Sequence, residues 1–141
     1  MVEVDTFDYS DIEIVNYSDK IDFDGDLEEL DKMTKSIRVD WKIRESAMKK
    51  IAGICLGNYK HEDSFLKYFN NKFYKNLNIQ FKEKRSIIIR ETCRIISFCI
   101  KVQGIYIEKA IFNIISHQNI FSIIEKNENK VSMEYVTLCI L

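Results

Sequence analysis

A chain of 141 residues fits one domain, and its 46% hydrophobic content is enough to bury a core. The absence of proline and a total of four glycines exclude collagen-like, Pro-rich and turn-dense β-sandwich chains, and favour helices on short turns. The 21 basic and 22 acidic residues nearly cancel, yet residues 1–25 carry a net −7 and residues 26–141 a net +6, an acidic leader on a basic body.

In the leader the acids Glu3, Asp5, Asp8, Asp11, Glu13, Asp19, Asp22 and Asp24 alternate with Val4, Phe7, Tyr9, Ile12, Val15 and Phe23. Such a stretch reads as a solvated, disordered leader, or as a segment that docks on a basic surface, this protein's own included. Nothing in it resembles a signal peptide, because no basic region precedes an apolar one. From residue 26 the pattern turns helical, with Leu27, Leu30, Met33, Thr34 and Ile37 on one face and Asp24 or Asp26 as N-cap. The clearest helix spans 40–57. Arg44, Ala47, Met48, Ile51, Ala52, Cys55 and Leu56 repeat at helical spacing, Asp40 is the N-cap, and Gly57-Asn58 the stop.

A third helix is expected over 62–79, with Phe65, Leu66, Phe69, Phe73 and Leu77 inward. A fourth runs from Ser86 as N-cap to Gly104, and its polar stripe Arg90, Arg94, Ser97 and Lys101 decides helix over strand. A fifth covers about 105–126, and a sixth runs from about Val131 to an uncapped apolar end at Leu138–Leu141, an expected surface for self-association. No apolar run reaches the ~18 residues of a membrane span. Cys55, Cys93, Cys99 and Cys139 lack metal-type spacing and read as buried, reduced thiols.

Six helices on short turns make three pairs, and the turns within pairs fall near Trp41, Arg85 and Lys130, at intervals of 44 and 45 residues. That period belongs to two-helix repeats of the HEAT and armadillo kind, so the expected fold is all-α, an α-solenoid of three helix pairs. Stacking would align the turns Asp40-Trp41-Lys42, Lys82-Glu83-Lys84-Arg85-Ser86 and Asn127-Glu128-Asn129-Lys130 along one edge. Residues 42–101 hold 14 bases and five acids, so an acidic protein surface is the natural partner.

The same residues carry a family resemblance. Asp40-Trp41-Lys42-Ile43-Arg44-Glu45-Ser46-Ala47-Met48-Lys49-Lys50-Ile51 resembles the opening D-W-x-x-R-x-x-A-L-x-x-I of the N-terminal TOG-type domain of CLASP proteins. Lys84-Arg85-Ser86-Ile87-Ile88-Ile89-Arg90-Glu91-Thr92-Cys93 is similar to its second signature, L-R-S-x-V-V-R-E-A-C, and Asn127-Glu128-Asn129-Lys130 to its third turn. The resemblance covers residues 26–141, three repeats where a complete domain of that family has six. It implies a HEAT-repeat paddle whose turns contact tubulin through Trp41, Lys84, Arg85 and Lys130. It also implies a cytoplasmic, cytoskeletal protein of microtubules and the spindle, without cofactor or catalysis.

Other readings are weaker in the residues themselves. Each of these four residues has a plainer role, Trp41 as core and the cations as a solvated turn. Arg90 and Glu91 read as ion pairs that support stacking. His61 and His117 lie apart, with no metal-type spacing, and no phosphate loop or nucleophile elbow occurs, so an enzyme is not expected. A nucleic-acid backbone is an alternative ligand for a basic solenoid, but Phe65, Tyr68, Phe69, Phe73 and Tyr74 follow the apolar stripe and suit a core better than base stacking. The leader is expected to compete for the basic edge, so that removing residues 1–25 preserves or strengthens binding.

Overall fold

The computed structural model describes residues 8–57, 63–83 and 85–115, and within them every regular element is helical. Helix α1 (Lys20–Thr34) leads through a short turn to α2 (Trp41–Leu56). Next come α3 (Asp63–Tyr68), a π-helical turn (Phe69–Phe73) and α4 (Tyr74–Gln80), which form one continuous rod. Helix α5 (Ser86–Gln103) ends at Gly104, whose φ of 55° suits only glycine well, and a 3₁₀ turn (Gly104–Ile107) leads into α6 (Glu108–Ile115).

Helix α2 follows its sequence signals. The Asp40 carboxylate accepts the Lys42 N–H at 2.8 Å, and the Gly57 N–H closes the last turn on the Gly53 and Ile54 carbonyls. Helix α5 begins one residue earlier than expected, at Ser86 itself, with Arg85 rather than Ser86 at the N-cap position. Helix α1 departs further. It starts at Lys20 with Asp19 as N-cap, its carboxylate accepting the Ile21 N–H at 2.7 Å, not at Asp24 or Asp26. The buried stripe Phe23, Leu27, Leu30 and Thr34, at steps of four, three and four, carries the helix back into the acidic segment.

Helices α1 and α2 run antiparallel, as do α4 and α5, with a turn at Phe81 and Lys82 after α4. The register between these two pairs is regular. On one side Thr92 Oγ1 meets Met48 Sδ at 3.6 Å and Cys55 Sγ meets Cys99 Sγ at 3.3 Å, both pairs 44 residues apart. On the other, Asn76 Nδ2 donates to Asp31 Oδ1, 45 residues back, and Gln80 Nε2 to the Thr34 carbonyl, 46 back, each at 2.8 Å. A constant offset along both contacts means that α2 and α5 run parallel, as do α1 and α4. The core between them is apolar, from Phe23, Leu27, Met48, Ile51 and Ile54 to Phe65, Phe69, Phe73, Leu77, Ile95, Ile96 and Ile107, all fully buried.

The acidic leader corrects one expectation. Residues 1–7 lie outside the described residues, but residues 8–17 form a non-helical strap packed on α2 and α5, and residues 20–25 are the first turns of α1. Ile12 is buried in the core and Phe23 fully so, which a disordered leader would not allow. The part of the expected fifth helix beyond residue 115, the sixth expected near Val131, and Lys84, Lys130, His61, His117 and Cys139 also lie outside the described residues. Among the described residues no helix is long and apolar enough to cross a membrane.

Candidate protein-binding edge and its neighbouring strap

The parallel register sets the N-terminal ends of α2 and α5 side by side. Trp41 and Arg85 stand 44 positions apart, as do Ile43 and Ile87, so each couple occupies one level of the edge. Trp41 is half-buried in the first turn of α2, with the Lys42 ammonium 5.7 Å from its ring centre. Ile43 is 47% exposed and Ile87 53%, apolar surface that no packing requirement explains. Around them Arg38, Lys42, Lys82, Arg85 and Arg90 are exposed. The acids nearby are Asp40, tied up as a cap, Glu45, the buried Glu83 and, in the depression beside Ile87 and Arg90, Asp8, Asp11 and Glu91. The amino ends of α2 and α5 meet the carboxyl ends of α1 and α4 here, so helix dipoles largely offset one another and side chains set the positive field.

One buried residue holds both turns in place. Arg44, 1% exposed, donates through Nε to the Val39 carbonyl at 2.8 Å, through one terminal nitrogen to Gln80 Oε1 and through the other to Glu83 Oε2, both at 2.6 Å. Gln80 and Asn76 extend the network to Thr34 and Asp31 of α1. Arg85 in turn donates to the second Glu83 oxygen at 3.3 Å. The turn before Trp41 and the turn before Arg85 are thus joined through a single guanidinium, whose planar fork suits three fixed acceptors.

Arg44 reads in sequence as one member of an apolar stripe, and its role is visible only from its partners. Gln80 and Glu83 give no sequence signal. Ile43 and Ile87 share the 44-residue interval of Trp41 and Arg85, a signal available in the sequence. Arg90, expected as a stacking ion pair, is exposed at the edge, while Glu91 makes the inter-helix pair with Lys49 of α2 at 4.0 Å. Of the four sequence-predicted contact residues, Trp41 and Arg85 are brought to one edge; Lys84 and Lys130 lie outside the described residues.

The strap neutralises a second set of cations on the adjacent face. Asp11 accepts two bonds from Arg94, at 2.6 and 3.1 Å, and meets Lys49 Nζ at 3.2 Å. Arg94 also pairs with Glu91 one turn back on α5. The Arg94 bonds, with help from Lys49, hold the Asp11 carboxyl below its ordinary value. Burial opposes the charge on Arg94, but bonds to Glu91 and Asp11 outweigh it and raise its pKa further. Downstream, Asp26 pairs with Lys50 at 2.9 Å and accepts the Tyr17 hydroxyl at 2.7 Å. Lys50 first, then Tyr17, lowers the Asp26 carboxyl; burial and that carboxylate raise the Tyr17 hydroxyl.

Among the described residues no cluster of three or more His, Cys, Asp or Glu side chains is placed to hold a metal ion. Cys55, Cys93 and Cys99 are buried thiols outside any disulfide, and burial pushes Cys55 and Cys93 above the ordinary thiol value. The chain matches no model of a known protein family. No curated protein matches its sequence.

Proposed function

We propose that this chain is a non-catalytic binding module, a solenoid of HEAT-type helix pairs whose turn edge docks on an acidic protein surface. The observation that carries the reading is the parallel 44-residue register, which sets Trp41 and Arg85 at one level with Ile43 and Ile87 between exposed cations. An aromatic and two aliphatics ringed by cations make a small apolar centre with a charged rim, the usual layout of a protein interface. Tubulin is the acidic partner that the resemblance to CLASP proteins implies, and residence on microtubules and the spindle would follow from it. The test is co-sedimentation of the full chain with stabilised microtubules, beside size exclusion with unpolymerised tubulin. Binding in either form supports the reading, and none in both removes it.

A nucleic-acid backbone is the less favoured ligand. Phe65, Phe69 and Phe73 are fully buried, so no base can stack on them.

A further inference from the structure

We infer that the face formed by α2 and α5 is a receptor groove for an extended acidic peptide of a partner protein, and that residues 8–17 occupy it in cis. This inference stands apart from the turn-edge reading and rests on how closely the groove is shaped to a peptide backbone.

Gly53 and Gly57 lie one turn apart on α2. A Cβ on Gly53 would overlap the Glu13 carbonyl oxygen and stand 2.8 Å from a Val15 methyl; one on Gly57 would overlap the Val15 carbonyl oxygen. Two strap residues therefore advance along four helical residues, a rise of about 6 Å, so the strap is extended and runs in the direction of α2. The Val15 N–H donates to the Gly53 carbonyl at 3.1 Å. These are backbone contacts, which any side-chain sequence can make.

Three side-chain positions supply specificity. Tyr9 packs on Phe98 at 5.2 Å between ring centres with the Lys101 ammonium 5.2 Å from its own ring centre, Asp11 bridges Arg94 and Lys49, and Ile12 enters the core. The partner segment thus carries an aromatic, an acid two residues on, a branched aliphatic next to it and a second three residues later, as in Tyr9-Ser10-Asp11-Ile12-Glu13-Ile14-Val15. Glycine inside a helix is costly unless something needs the space, and Gly53, within α2 and under the strap backbone, with Gly57 at the C-cap one turn on, marks the α2 surface as shaped for an extended chain.

The cis occupant is displaceable. Asp11 is 48% exposed and Lys49 36%, so their attraction is screened by solvent and salt. Ile14 is 58% exposed and contributes little. A tethered segment of this kind competes at the effective concentration its linker sets, which lowers the apparent affinity of a free peptide without closing the site.

The test uses the full chain with Asp11→Lys and Ile12→Asp, which loosen the strap and leave every groove residue intact, and a fluorescein-labelled synthetic peptide of residues 8–18. Fluorescence anisotropy should show saturable binding about tenfold tighter to the folded variant than to the parent. Raising salt from about 50 mM to about 500 mM should weaken it by about threefold or more. Gly53→Val added to the variant should abolish it. Equal affinity for parent and variant, binding that survives Gly53→Val, or no binding at ~1 mM peptide would overturn the inference. A strap-exchanged dimer of the parent would overturn it too, because the groove would then belong to a second copy. Should the variant not fold, the unlabelled peptide is added to the parent, where displacement of the strap should speed hydrogen exchange at the Val15 N–H about threefold or more. An unchanged rate there counts against the groove.

Discussion

Arg44 and Arg94 are both arginines that tie separate parts of the chain together, and they differ in what surrounds them. Arg44 is 1% exposed and spends all three kinds of nitrogen on partners fixed by the helix pairs. The Arg94 side chain is 12% exposed and reaches a strap residue that is 48% exposed. A buried guanidinium with every donor matched locks geometry, because losing a partner strands a charge out of water. A guanidinium at the margin holds a segment that salt, acid or a competitor can remove. The same chemistry gives a fixed frame for the turn edge in one place and a detachable cover for the α2–α5 face in the other.

The largest effect should come from breaking the inner arginine. Arg44→Ala removes the donor of Gln80 Oε1 and of Glu83 Oε2, both buried, and urea unfolding should show a loss of about 3–5 kcal/mol. Arg44→Met of similar length should recover part of it if packing matters beside charge. Gly53→Val should come next. It forces the strap off α2 or distorts the helix, at about 1–3 kcal/mol, and the Val15 N–H should lose protection while the α1–α4 contacts keep theirs.

Acid should act on the strap before the frame. Asp11, the strap carboxylate held by Arg94 and Lys49, has a lowered pKa when docked, so it binds fewer protons docked than free. The ionic part of strap docking is therefore at full strength above the ordinary value of 3.8 and is lost as pH falls through the lowered pKa. Tyr9 fluorescence or the Val15 exchange rate, followed between neutral pH and about pH 3, should report that loss ahead of helix unfolding. Asp11→Asn should be the mildest change, about 1 kcal/mol or less, and smaller still at high salt.

The frame was readable where local signals and tertiary need coincide. Asp40 and Gly57 bracket α2, and the stripe of Arg90, Arg94, Ser97 and Lys101 predicts α5 through to Gly104. The 44-residue interval that suggests stacking recurs in the contacts of Met48 with Thr92 and Cys55 with Cys99. Two features escaped. The start of α1 was hidden because the acidic composition of residues 19–26 suggests solvation, while Phe23, four residues before Leu27, belongs to the buried stripe. The strap needed partners far along the chain, Arg94 for Asp11 and Gly53 for Val15, which no local pattern marks.

This has a practical consequence. Cutting the chain at residue 25 does not remove a loose tail, as the acidic composition suggests, but deletes the Asp19 cap and the buried Phe23 with the first turns of α1. The charge of the leader is better probed by substitution within residues 8–15 than by truncation.

The turn-edge account is tested most directly by microtubule co-sedimentation of the parent, Trp41→Ala and Arg85→Ala across a salt series, with helicity checked by circular dichroism. Trp41 sits at the apolar centre and should cost about 2 kcal/mol at every salt concentration, while Arg85, exposed at the rim, should cost about 1 kcal/mol or less and mainly at low salt. Folded Trp41→Ala and Arg85→Ala that both bind like the parent would contradict the account.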